Sequence, residues 1–251
     1  LTNKQEISIL SKDFLVGVTQ FFRDEAAFTI VKNKVIPEII ARKDDGDTMK
    51  VWVCACSTGE EVYSIAILID KYLQTIDKHI EVKIFASDID DASLDIASKN
   101  NYPESFIKFI PDDILEEYFI HDGKSISVVP HIRKQIVFAK HNVIKSPPFI
   151  KNDLICCRNM LIYMNSILQQ KILTTVHYSL NTEGFLFLGP SETIAPIKDG
   201  VNEISGKWKI YRKSGVIPRP NDFANGGRVD NSGRFTMPMR QKIKVSAEEQ
   251  F

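Results

Sequence analysis

Two adjacent carboxylates, Glu60 and Glu61, follow a lone glycine in the stretch Ala55-Cys-Ser-Thr-Gly-Glu-Glu61. Before this turn, Val51–Cys56 is an uncharged run suited to a strand buried on both faces; behind it, Val62, Ile65, Ala66, Ile69 and Leu73 recur at helical spacing. Strand, tight turn and helix in that order form the usual mouth of a nucleotide-type pocket. A pyrophosphate would call for several glycines and a helix N-terminus free of negative charge. A pair of acids repels an anion there and suits a cationic ligand. S-adenosylmethionine (SAM), with a sulfonium, an ammonium and no phosphate, meets that requirement. The same residues also read as an ordinary helix start, with Thr58 and Glu61 as a capping box and first-turn acids complementing the helix dipole.

A second acid weighs toward the pocket. Ile84-Phe-Ala-Ser-Asp88 reads as the next strand, and an acid at its carboxyl end is where a ribose diol is gripped, because a carboxylate accepts both hydroxyl protons. Asp90 and Asp91 read as caps of the following helix. The five histidines show no metal-ligand spacing. Cys54, Cys56, Cys156 and Cys157 lie in apolar strand segments as small fillers, in keeping with a reducing cytoplasm.

The elements that would position these residues alternate. Val51–Cys56, Glu81–Ser87, Asp153–Cys157, Gly184–Leu188 and Lys207–Arg212 read as strands; 60–75, 91–98 and 167–180 read as helices. This is an α/β pattern with a mostly parallel sheet and helices on both faces. Residues 102–138 interrupt it as a small β-rich insert, with a helix at 112–119 and a turn at Asp122-Gly123. Ahead of the sheet come one helix at 7–18 and another at 25–41 whose Pro37 should bend it or end it early. The Pro/Gly/Asn-rich stretch 215–251 reads as a linker or tail.

Composition adds exclusions. Thirty-two basic and 32 acidic residues balance in a chain of 251, so net charge argues for neither nucleic acid nor a membrane surface. No apolar run nears the ~20 residues that span a bilayer. Charge is nonetheless uneven: 81–122 is acidic, whereas 124–152 holds no acid; each block reads by default as a solvated face, and the second alternatively as a basic edge that docks an acidic partner.

Six motifs occur in register: Thr19-Gln-Phe-Phe-Arg-Asp24, Ala55-Cys-Ser-Thr-Gly-Glu-Glu61 with Tyr63-Ser64, Phe85-Ala-Ser-Asp-Ile-Asp90, His141-Asn-Val143, Cys157-Arg-Asn-Met160 with Ile162-Tyr163, and Gly189-Pro-Ser-Glu192. Together they resemble the CheR-type chemoreceptor glutamate methyltransferases, in forms fused to other signalling domains. The resemblance implies a Rossmann-like SAM-dependent methyltransferase domain at 19–214, its β-subdomain at 102–138, a remnant of an N-terminal helical domain at 1–18 and a tail at 215–251. It implies SAM as cofactor, S-adenosylhomocysteine (SAH) as product and the cytoplasmic domain of methyl-accepting chemoreceptors as partner, in the cytoplasm. Carried over by motif, Thr19, Arg23, Glu61, Asp88, Asn142, Val143, Arg158 and Asn159 bind the cofactor, and Arg23 and Tyr163 act at the reaction site. Family members usually place asparagine where this chain has Gly17, which removes a hydrogen bond worth ~1 kcal/mol net. The short loop His121-Asp-Gly-Lys124 suggests an enzyme that needs no receptor tail peptide. A non-catalytic SAM-binding or docking module is the alternative class, and a nicotinamide oxidoreductase is disfavoured by the absent glycine fingerprint.

Overall fold

The first two strands of the main sheet in the computed structural model pair in parallel: β1 (Thr48–Cys54) and β2 (Glu81–Asp88), in register from Thr48↔Glu81 to Cys54↔Ser87. The structure describes residues 19–217 and the backbone of 228–229 and 235–236, which pair as two short antiparallel strands. The helix expected at 7–18, Gly17 and nearly all of the 215–251 tail lie outside the described residues. β6 (Ile136–Lys140) flanks β2, while β7 (Asn152–Cys157) and β8 (Leu180–Leu188) continue from β1, all parallel. β10 (Ile210–Lys213) runs antiparallel to β8, and β9 (Val201–Ser205) closes the edge. The order is β6-β2-β1-β7-β8-β10-β9.

Side-chain alternation divides the core into two layers. Val51, Val53, Leu154, Cys156, Phe185 and Phe187 face one apolar cluster; Trp52, Cys54, Ile155, Cys157, Leu186 and Leu188 face the other. Because both faces are covered, these strands read as continuous apolar runs. The first layer takes α1 (Glu25–Ile30), α2 (Ile36–Ala41), α3 (Glu60–Leu73) and α4 (Asp91–Lys99); the second takes α7 (Ser166–Ser179). Residues Val62 to Ile69 of α3 are all buried. Each large aliphatic among them contributes roughly 1.5–3 kcal/mol by burial.

Pro37 does not end its helix. α1 runs through a π-wound turn, Val31–Val35, into α2, and the wider winding just before Pro37 takes up its ring and missing N–H, so the proline alters the helix without ending it. The insert needs a second correction. β3 (Tyr102–Pro103), β4 (Phe119–His121) and β5 (Ser125–Val128) form its three-stranded sheet, with α5 (Asp112–Tyr118) and the short α6 (Pro130–Arg133) beside it. The run Gln135–Phe138, expected inside the 102–138 insert, instead falls in the strand Ile136–Lys140, which joins the main sheet along β2. With β2 wanting a parallel neighbour, its short alternating pattern Ile-Val-Phe-Ala fits a half-exposed edge as well as it fits a hairpin. β9 was not foreseen, having only a weak alternation.

Candidate active site

Strand order reverses between β1 and β7, so the loops that follow β1, β2, β6 and β7 open one crevice at the carboxyl edge of the sheet. The loop after β1 alternates through left-handed residues: Ala55 at φ 52°, Ser57 at 48° and Gly59 at 94°. Gly59 is demanded twice, since a Cβ there would also lie 2.9 Å from the Ala97 Cβ and 3.1 Å from the Tyr102 hydroxyl. Three of the loop's amides are occupied within the protein. Cys56 N–H donates to Ser87 O (3.0 Å), Ser57 N–H to Asp88 Oδ2 (2.9 Å) and Gly59 N–H to Cys56 O (3.0 Å). A phosphate-cradling loop would leave such groups for its ligand.

The capping box is not formed. Gly59 is the N-cap of α3, and the Thr58 hydroxyl donates to both oxygens of Glu60 at 2.8 Å. The left-handed Gly59 turns the chain so that Thr58 faces the nearer acid, not Glu61. Glu60 is 1% exposed, and burial pushes its carboxyl pKa up, opposed by hydrogen bonds from its own backbone, Thr58 and Thr19. The folded chain therefore binds more protons than the unfolded one between the two pKa values, and stability falls as pH rises through that interval. Glu60→Gln is expected to melt higher than the parent at neutral pH. The gap should close near the ordinary carboxylate pKa of about 4.3, as thermal melts at the two pH values would show.

Asp88, half-buried at the end of β2, takes one backbone N–H on each oxygen: Ser57 on Oδ2 and Asp90 on Oδ1 (3.0 Å). Each oxygen keeps acceptor capacity for a second donor, as a vicinal diol requires. Asp90 is the N-cap of α4, accepting from Ser93 N (3.2 Å) and Ser93 Oγ (2.7 Å). His141 N–H donates to Asp88 O (2.8 Å), which brings the loop after β6 alongside. There Asn142 Oδ1 receives the N–H groups of Ile144 (3.0 Å) and Lys145 (3.2 Å), and Val143 packs on the second apolar layer.

Arg158, at the end of β7, is the brace of the site. Its side chain is 1% exposed and pairs with Glu61 (2.6 Å) and Asp24 (2.5 Å), and it donates to Arg23 O (3.2 Å). Its guanidinium lies 4.3 Å from the ring centre of Phe187 and 5.5 Å from that of Phe28. Sequence reasoning gave Arg158 and Glu61 to the cofactor; the structure joins them to each other first, with Asp24 as the partner that was missed. The segment 19–24 crosses here under strain, with Phe22 at φ 52° and Asp24 at 67°. Phe21 packs edge-on against Tyr102, Phe106 and Phe119 of the insert, and Phe22 N–H donates to Ser64 Oγ (2.9 Å). Thr19 and Arg23 are thereby held over α3, both half-buried. Past Arg158, Asn159 is left-handed (φ 58°) and Tyr163 is 61% exposed in the 3-10 turn Leu161–Tyr163. Glu192, quoted in a motif but given no role, is 4% exposed and bonds the loop after β7.

The donor set fits an adenosyl ligand with positive charge. Carboxylates follow β1 and end β2, three of the loop amides are committed, and the half-buried Val143 lies between polar edges. Fold and site define the class, an α/β domain whose crevice at the strand-order reversal suits a nucleoside ligand. The family profile of the CheR methyltransferase SAM-binding domain matches residues 17–210. Relatives include chemotaxis protein methyltransferase Cher2 of Pseudomonas putida, 34% identical over 72% of this chain and 67% of its own length. Chemotaxis protein methyltransferase 1 of Pseudomonas aeruginosa is 32% identical over 72% and 68%. An uncharacterised 104.1 kDa protein of Rhodobacter capsulatus is 35% identical over 86% of this chain, which spans only 23% of that protein. The chain belongs to the CheR methyltransferase family, whose SAM-binding domain it contains.

Proposed function

We propose that this domain transfers the methyl group of SAM to glutamate side-chain carboxylates of chemoreceptors, forming methyl esters. The observation that carries this reading is the crevice at the strand-order reversal, lined by acids in place of a phosphate cradle, with Arg23 and Tyr163 at the family's positions. SAM supplies an electrophilic methyl on a sulfonium. A substrate glutamate is ionised near neutral pH, so its oxygen attacks without a base. The C–O bond forms as the C–S bond breaks. The carboxylate charge is lost in the ester and the sulfonium charge in the thioether, with no proton moved.

The chain's residues then have three tasks. Asp88 holds the ribose, with Asn142 and Val143 at the adenine. Glu61 and the 19–24 segment border the methionine end. Arg23 orients the carboxylate through a forked pair of hydrogen bonds, and the exposed Tyr163 ring offers a π face to positive charge. The Arg158 brace, on Glu61, Asp24 and the Arg23 carbonyl, keeps the second of these and the arginine of the third in place.

Arg23→Ala is expected to lower kcat/KM for a receptor cytoplasmic fragment by about a hundredfold, as loss of charge-assisted bonds entails, with a smaller change in SAH affinity. Tyr163→Phe should stay within about threefold of the parent, while Tyr163→Ala loses about tenfold, if the ring face is what acts. Steady-state methylation together with SAH titration separates these effects. Equal losses in Tyr163→Phe and Tyr163→Ala would move the role to the hydroxyl, and an inert Arg23→Ala would remove the carboxylate assignment.

The setting belongs to the same proposal. The Rhodobacter relative has 104.1 kDa against 28.5 kDa here, which supports a place among fused signalling domains. No described helix is long and apolar enough to cross a membrane. Four free, buried cysteines suit the reducing cytoplasm, where receptor tails lie.

A further inference from the structure

The loop after β7 is wrapped around a carboxylate of the protein itself. Glu192 Oε1 accepts from Met160 N–H (2.9 Å) and Leu161 N–H (2.8 Å), and Oε2 accepts from Gly189 N–H (2.6 Å). The Asn159 backbone also donates to it. Three consecutive amides converging on one anion, with Asn159 left-handed, make a nest of the kind that elsewhere binds phosphate. Here the anion is built in and lies 4% exposed. Gly189 lets it approach: a Cβ there would come within 2.9 Å of Asn159 N, 3.0 Å of Glu192 Oε2 and 3.1 Å of Asn159 Nδ2. The 3-10 turn carrying Tyr163 hangs from this nest. Tyr163 N–H donates to Met160 O (3.2 Å), and Gln169 Nε2 secures the far side on Leu161 O and Met164 O, both at 3.0 Å.

We propose that Glu192 is a positioning residue, an internal anion that fixes Asn159 for the cofactor and Tyr163 for methyl transfer without touching either ligand. This inference rests on the site reading given above. Bare stability is a poor explanation for such a group. A buried carboxylate is costly to desolvate, and a loop that needed only cohesion could satisfy the same amides with neutral carbonyl oxygens. Four backbone donors gathered on one anion instead set the directions of the side chains that project from the loop.

Glu192→Gln tests it, because glutamine keeps one acceptor for Met160 and Leu161 but turns an NH2 toward the Gly189 N–H. SAH affinity is expected to weaken roughly tenfold, and kcat on a receptor fragment, normalised to SAH-binding sites, to fall by a similar factor. The deciding readout is coupling. In an Asn159→Ala background Glu192→Gln should cost little further SAH affinity, and in a Tyr163→Ala background little further kcat. A purely structural role predicts the same fold-loss in every background, and that result overturns the proposal. So does a Glu192→Gln protein with parental affinity and kcat. Glu192→Ala should reproduce the losses more strongly, and its SAH stoichiometry counts the folded fraction. A parent that binds SAH but methylates no receptor fragment overturns the substrate reading alone, leaving the affinity cycle to decide Glu192. A parent that binds no SAH overturns the cofactor reading and this inference with it.

Discussion

Asp88→Ala is expected to weaken SAH binding by at least about a hundredfold. Two charge-assisted hydrogen bonds to a ribose diol are worth roughly 1.5–3 kcal/mol each, and both vanish. The side chain also anchors the crevice wall by accepting from Ser57 N (2.9 Å) and Asp90 N (3.0 Å), so its removal frees the loop after β1 as well. Asp88→Asn keeps one acceptor and the shape, and should sit between, at about a tenfold loss. Isothermal calorimetry on the three proteins, with near-ultraviolet circular dichroism as a check of folding, gives the ranking directly. Alanine binding within threefold of the parent would mean that the acid at the end of β2 is only a loop anchor.

Arg158→Ala is expected to reduce the free energy of unfolding by about 3 kcal/mol. Removing one member of a buried ion cluster strands the others, and such deletions cost about 3–5 kcal/mol. The lower end applies because Asp24 and Glu61 keep 26% and 16% side-chain exposure. The loss should be specific to charge. Adding Asp24→Asn and Glu61→Gln to an Arg158→Met protein is expected to recover most of the stability, since no unpaired charge then remains. Lysine should not replace arginine, because a single ammonium cannot reach two carboxylates and a backbone carbonyl in one plane. Urea titrations of these variants test the whole set. An Arg158→Ala protein within ~1 kcal/mol of the parent would show that the triad is incidental.

Much of the scaffold was legible because its strands are buried on both faces and its helices carry long apolar stripes. Val51–Cys56, Glu81–Ser87 and Asp153–Cys157 were each found within a few residues. The run Gln135–Phe138 was misplaced because membership of a sheet is decided by distant pairing, here to β2, and not by local pattern. The site was legible as a set of loops but not as a set of contacts. Residue type and order placed Asp88 at a strand end, and the family resemblance supplied Asn142, Asn159 and Tyr163. Nothing local announces that Arg158 turns inward to Glu61 and Asp24, or that Thr58 serves Glu60 instead of capping α3. Both depend on left-handed backbone at Ser57, Gly59 and Asp24, of which only the glycine advertises itself in the sequence. Glu192 stood in a quoted motif, and a lone acid beside a glycine in a loop was the signal that could have marked it.

The product's chemistry tests the central claim most directly. The parent chain is incubated with methyl-tritiated SAM and a receptor cytoplasmic fragment, and the labelled fragment is then treated with mild alkali. The account expects label on the fragment that alkali releases as volatile methanol, and none on a fragment whose glutamates are replaced by alanine. Label that resists alkali, or that persists on the alanine fragment, would contradict carboxylate methylation.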